Sequence, residues 1–151
     1  MALSEATIIN QIALYERSIS GVKNSYDFAK NPDNLTSAML PAVLHYIPNF
    51  TAKPLAHFNV WDNVINARSI LCVAPRQSQG GRLTYLENDA MPYLGKWREK
   101  FQDSTVITSI LAATGTRICW LDSGNYGAGG ILTVGSIEFI GAVFSFTFKT
   151  A

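Results

Sequence analysis

Charge is scarce in this chain. Asp, Glu, Lys and Arg make up 15% of its 151 residues, against roughly a quarter in an ordinary soluble domain. The 12 basic residues offset the 11 acidic ones, so no net field would hold DNA irrespective of sequence. Histidine is limited to His45 and His57, and neither has a cysteine or carboxylate at metal-ligand spacing. Cys72 and Cys119 both lie in strand-like runs, where a free thiol behaves as a small hydrophobe. A reducing compartment is the expectation, with a disulfide left open. Long hydrophobic runs are missing too. The longest, "ILTVGSIEFIGAVFSF", carries Glu138, Gly135 and Gly141, too short and too polar to cross a bilayer. The opening "MALSEATIINQIALYERS" has no basic stretch, so no secretory signal is expected.

Catalytic patterns are equally sparse. Residues 69–97 read as strand, Gly-containing loop, helix, a geometry that often holds phosphate. Yet "QGGRLT" lacks the lysine and spacing of a P-loop, and GxGxxG is absent. Gly80 and Gly81 with Arg76 and Arg82 could still hold an anion, although an ordinary loop is the simpler reading. "SGNYGAGG" precedes a strand rather than a helix, and turn chemistry accounts for it. Glu87 and Asp89 fall on different helix faces, no serine sits in GxSxG, and neither cysteine has a catalytic context. No catalytic residue, cofactor or metal is therefore expected. Each histidine is expected to be a structural residue with a satisfied ring.

Apolar residues are plentiful, at 48%, enough for one domain spanning 1–151 with a proper core. Ser4 can cap a helix whose Ile8, Ile12, Tyr15 and Ile19 share a face, with Gly21 as its stop. "VKNSYDF" alternates as a strand, and "MLPAVLHYIP" predicts a second, near an edge because of Pro41. Residues 48–66 show no sustained periodicity and read as a long excursion with a short strand near Trp61. In "HFNVWDN", Trp61 fits a core position or a partner anchor equally well. "ARSILCVA" is apolar on both faces and belongs near the centre of a sheet. Leu83, Leu86, Ala90, Tyr93, Leu94, Trp97 and Phe101 form a helical stripe, with Pro92 as a kink or a new start. Residues 103–115 fit either strand or short helix. The remainder is strand: "TRICWL", then "ILTVGSIEF" leading through Gly141 into a last run. There Phe144, Phe146 and Phe148 alternate with polar residues. Trp97 and Trp120 are expected in the core. The fold class is α+β: a mainly antiparallel sheet with a long helix and an N-terminal helix packed on it.

In order, these pieces resemble the tail terminator proteins of long-tailed bacteriophages, which cap the tail tube. The resemblance rests on the N-terminal helix running into "GVKNSYDF", on "LPAVLHYIP", on "RSILCVAPRQSQGGRLTYLENDAMPYLGKWREKF" and on the closing "GILTVGSIEFIGAVFSFTFK". It implies a structural, non-enzymatic virion protein, assembled in the host cytoplasm and placed at the head-proximal end of the tail. It implies a homo-oligomeric ring, usually of six subunits, that stops tube polymerisation and offers a surface for head joining. The partners implied are the major tail tube protein and a head completion or connector protein. Genome DNA would pass through the lumen without specific binding, and no membrane is involved. Trp61, Arg76, Gln77, Gln79 and Arg82 would then serve contacts between chains. Two alternatives stay open: another head–tail neck protein, or a small-molecule-binding or enzymatic α+β domain using residues 75–82.

Overall fold

The computed structural model describes residues 4–54, 61–75, 90–115, 118–125 and 131–149; for Trp61, 118–119, 122–125 and 131–132 it describes the backbone alone. Ser4 is extended, and its Oγ accepts the Thr7 amide at 3.4 Å, so helix α1 (Glu5–Glu16) starts where the capping residue predicts. Ile8, Ile9, Ile12 and Ala13 are buried. Gly21 does not stop this helix, which ends at Glu16 with Arg17 as its cap. Gly21 instead makes room. Its φ is +95°, and a Cβ there would lie 2.6 Å from the Tyr93 hydroxyl.

Beyond Gly21 the chain forms β1 (Asn24–Ser25), a 3-10 turn (Ser37–Met39), β2 (Ala42–Pro54) and β3 (Trp61–Pro75). The Leu40–Pro41 peptide before β2 is cis. Where "VKNSYDF" predicts a full strand, only two residues pair with β2, in parallel. The expected excursion over 48–66 is instead mostly strand. β2 and β3 run antiparallel from Ala42↔Cys72 to Pro54↔Trp61, with a bulge between Tyr46 and Asn49.

Helix α2 (Met91–Gln102) has Pro92 in its first turn, where a proline fits, and Leu83 and Leu86 of the expected stripe lie outside the described residues. Residues 103–115 are helical. Asp103 accepts the Thr105 amide at 2.8 Å, α3 spans Ser104–Thr114, and Gly115 closes it at φ +70°. Strand β4 (Ile118–Asn125) follows. The last part is a hairpin of β5 (Ile131–Val134) and β6 (Ile137–Lys149). Gly135, at φ +63°, makes its turn, and Gly141 lies within β6 opposite Cys72.

The sheet order is β1-β2-β3-β6-β4, with β5 also on β6, and only β1–β2 is parallel. The fold is α+β, as the sequence predicts. β3 and β6 are central, in keeping with the apolar reading of "ARSILCVA". The three helices contribute to the main core on one side of the sheet. Phe144, Phe146 and Phe148 meet Trp97 and Phe101 there, all buried. Trp97 stacks on Phe144 with centroids 4.4 Å apart, and Phe101 meets Phe146 edge-on at 4.9 Å. Such aromatic pairs add about 0.5–1.5 kcal/mol beyond the area they bury. A second, smaller cluster, of Leu35, Ala42, Leu44, Cys72 and Phe139, covers one end of the opposite face.

Candidate assembly surface

Because strand side chains alternate, the odd residues of β3 from Ile65 to Leu71 face the helices and the even ones face away. Past the smaller cluster, that second face is a set of polar rows running across the strands. Register places Tyr46, Arg68 and Ser145 in one row, and Asn49, Asn66, Thr147 and Trp120 in the next. Thr51, Val64 and Lys149 follow, then Lys53 and Asp62. Within the rows the side chains bond one another. Asn66 Nδ2 donates to Asn49 Oδ1 at 2.5 Å, and Thr147 Oγ1 to Asn66 Oδ1 at 3.2 Å. Arg68 donates to the Tyr46 hydroxyl at 3.3 Å, and Lys149 pairs with Asp62 at 3.4 Å. The result is a surface rich in amides and hydroxyls with few charges. Trp120 belongs to it and is 38% exposed, which corrects the expectation that it lies in the core.

The β2–β3 hairpin carries this face past the end of β6. Three residue pairs, Ala52↔Asn63 to Pro54↔Trp61, lie beyond Val64↔Lys149, the last pair that β3 makes with β6. Phe50 lies just inside the arm, opposite buried Ile65, yet is 68% exposed. It is a large apolar side chain free to meet another surface.

Of the sequence-derived interface residues, Trp61 opens β3 at the far end of the arm, with only its backbone described. Arg76, Gln77, Gln79 and Arg82 lie outside the described residues, as do His57, Glu87 and Asp89. Pro75 ends β3 and borders a groove of about 700 Å³, which is also lined by Leu35, Thr36, Ser37, Ser136, Ile137, Glu138 and Phe139. Among the described residues Glu138 is its one titratable lining residue.

The titratable cluster of the described residues is elsewhere, and it is sealed. Glu16, the last residue of α1, is 0% exposed. Its carboxylate accepts from Trp97 Nε1 at 2.8 Å and Ser25 Oγ at 3.2 Å, and it meets His45 Nε2. His45 Nδ1 faces the Tyr26 carbonyl at 2.7 Å, so that nitrogen carries a proton. Serine, histidine and glutamate here do not make a nucleophilic triad. Ser25 gives its proton to the carboxylate, and all three are closed to solvent. The cluster joins α1, β1, β2 and α2. His45 is the satisfied structural histidine that the sequence predicts. Sequence reasoning missed Glu16. The signal was there: it follows Ile12 by four positions, an acidic residue on an apolar stripe.

Cys72 is a free thiol buried in β3, and burial pushes it up to about 12. Among the described residues no group of three His, Cys, Asp or Glu could hold a metal, and no helix is long and apolar enough to cross a membrane. No protein-family model matches the chain, and no curated protein matches it.

Proposed function

We propose that this chain is a structural virion protein that forms a ring on a phage tail tube, stops tube growth and provides the surface for head joining. The observation that carries this reading is the sheet with two unlike faces. One is backed by three helices, and the other bears rows of mutually bonded Asn, Thr, Tyr and Arg side chains. A wall of this kind suits a lumen through which nucleic acid must slide. Its Asn49, Asn66, Thr147, Tyr46 and Arg68 side chains are already engaged with one another and its charges are few, so it offers little for a phosphate backbone to hold. The resemblance of the closing strands and of "LPAVLHYIP" to tail terminators supports the same reading. Exposed Phe50, beside the arm on the outer strand β2, suits a contact with a neighbouring subunit.

The test is assembly. Negative-stain images and light scattering of the purified protein should find rings at high concentration, or on addition of purified tail tubes. Loss of the protein from its phage should leave overlong tails without heads, and purified protein should restore joining. A strict monomer that ignores tail tubes, or normal-length tails joined to filled heads in its absence, refutes the proposal.

A further inference from the structure

The sheet ends in two open edges. No strand lies beyond β4 in the sheet order, and β1 covers β2 only at Ala42 and Val43, with Asn31 holding His45 next to them. Among the described residues, β2 after its bulge and β4 before its own have a strand on one side only. Exposed edges are normally blunted by charge, proline or a covering element. Residues 49–52 and 118–121 contain neither charge nor proline.

The backbone groups of the two edges match. Tyr26 donates to the Val43 carbonyl and Asn31 bonds both backbone groups of His45. The residues of β2 that face the helices thus turn their N–H and C=O away from β3. Past the bulge, Phe50 and Ala52 share that face and that orientation. Each antiparallel step across the sheet reverses the strand. The helix-facing positions of β4, Leu121 opposite Phe146 and Cys119 opposite Phe148, therefore turn their backbone groups away from β6. Because β2, β3, β6 and β4 alternate in direction, a second copy set beside the first with its helices on the same side meets it antiparallel, β2 against β4. The side chains fit as well. Phe50 faces the helix side yet is 68% exposed, whereas Leu121 is half-buried against the main core. Side by side, Phe50 of one copy continues the core that Leu121 of the next begins.

We propose that this chain joins copies of itself by pairing Phe50 and Ala52 of β2 with Leu121 and Cys119 of β4 in the next subunit, making one continuous sheet. This rests on the ring reading above and names the contact that closes the ring. The register sets Trp120 beside Thr51 of the neighbour, whereas within one chain Trp120 shares its row with Asn49. Each copy is displaced by two residues along the strands, the kind of stagger a sheet needs to close on itself. The contact joins two different edges, so it repeats from copy to copy until rotation closes it.

Amide hydrogen exchange of the dilute protein and of its assemblies, alone or on tail tubes, reads both edges. Assembly should slow the amides of Phe50, Ala52, Cys119 and Leu121 about tenfold or more. Thr51 and Trp120 turn theirs towards β3 and β6 and should stay within about twofold. Ala52→Pro removes an N–H that β3 does not use, so the melting temperature should stay within about 3 °C of the parent. Its rings should need about tenfold more protein, the equivalent of one hydrogen bond lost per contact. Phe50→Asp, at an exposed position, should act in the same direction. Rings in which the four amides exchange as in the dilute protein, or that both variants form at the parent's concentration, would overturn the edge contact and leave the ring standing. Open filaments with the four amides protected would uphold the contact and refute the ring. A chain that stays monomeric with and without tubes would refute both.

Discussion

Glu16→Ala should be among the most damaging single substitutions in this chain, and Glu16→Gln should be mild. The carboxylate is fully buried and serves Trp97, Ser25 and His45 at once. Truncation to alanine leaves an indole N–H, a hydroxyl and an imidazole without their acceptor, in a place water does not reach. Breaking a buried charged pair from one side costs about 3–5 kcal/mol, out of a total stability of about 5–15 kcal/mol. For a chain of this size that lowers the melting temperature by about 6–20 °C. Glutamine behaves differently because of how the histidine is held. His45 Nδ1 carries its proton towards the Tyr26 carbonyl, so Nε2 of the neutral ring can accept from the glutamine amide. The glutamine oxygen still accepts from Trp97. The loss is then about one hydrogen bond, roughly 1 kcal/mol. Urea titrations followed by tryptophan fluorescence and far-UV circular dichroism would measure both variants, with equal denaturant slopes as the control for two-state unfolding. An alanine variant within about 1 kcal/mol of the parent, or a glutamine variant as damaged as the alanine one, would refute this account of the cluster.

Phe146 is buried between β3 and α2, so Phe146→Ala should cost about 3–5 kcal/mol in the same titration; unchanged stability with lost assembly would make its face an intersubunit surface. Gly21→Ala should destabilise by about 1–3 kcal/mol, because the new methyl meets the Tyr93 hydroxyl and φ is +95°. Tyr93→Phe should recover part of that loss when combined with it, and no recovery would leave the backbone conformation as the sole cause. Cys72 should resist alkylation at neutral pH in the folded protein. Its thiol is pushed from 9.0 to about 12 by burial, so its share of stability is intact below pH 9.0 and falls as pH rises from there towards 12. A Cys72 that labels at neutral pH as fast as in urea would contradict its burial.

What the sequence made legible follows burial. Phe144, Phe146 and Phe148 show a clean alternation because one face of β6 is sealed by α2 and the other carries Ser145, Thr147 and Lys149. Ser4, Asp103 and Pro92 mark helix starts through local chemistry that needs no tertiary context. The outer half of β2, from Asn49 to Pro54, was misread for the converse reason. Asn49, Thr51 and Lys53 face outward, and on the other side Phe50 is exposed on the outer strand while Ala52 lies beyond the last β3–β6 pair. With neither face buried, no apolar period of two can appear, and pairing with β3 leaves no trace in composition. The strand expected over Val22–Phe28 shrank to two residues because side-chain ties hold that segment in place of a full ladder.

The same asymmetry explains why the polar rows and the Glu16 cluster look alike in sequence and differ in consequence. Both are groups of Asn, Ser, His or Glu placed among apolar strands. In the rows Asn49, Asn66, Tyr46 and Arg68 bond neighbours across a strand near the surface, where losing one partner costs little because water replaces it. In the cluster no water is at hand, so every donor depends on one carboxylate, and four elements depend on it for their relative position. Buried polar groups of this kind constrain which packing is adopted more than they add to its stability. A subunit that must present a polar face and a protruding arm in fixed relation to a helical back has use for such a constraint. The cluster sits where β2, which reaches out to form the arm, passes under α1 and α2. Its position therefore ties the orientation of the arm to the helices, through the core.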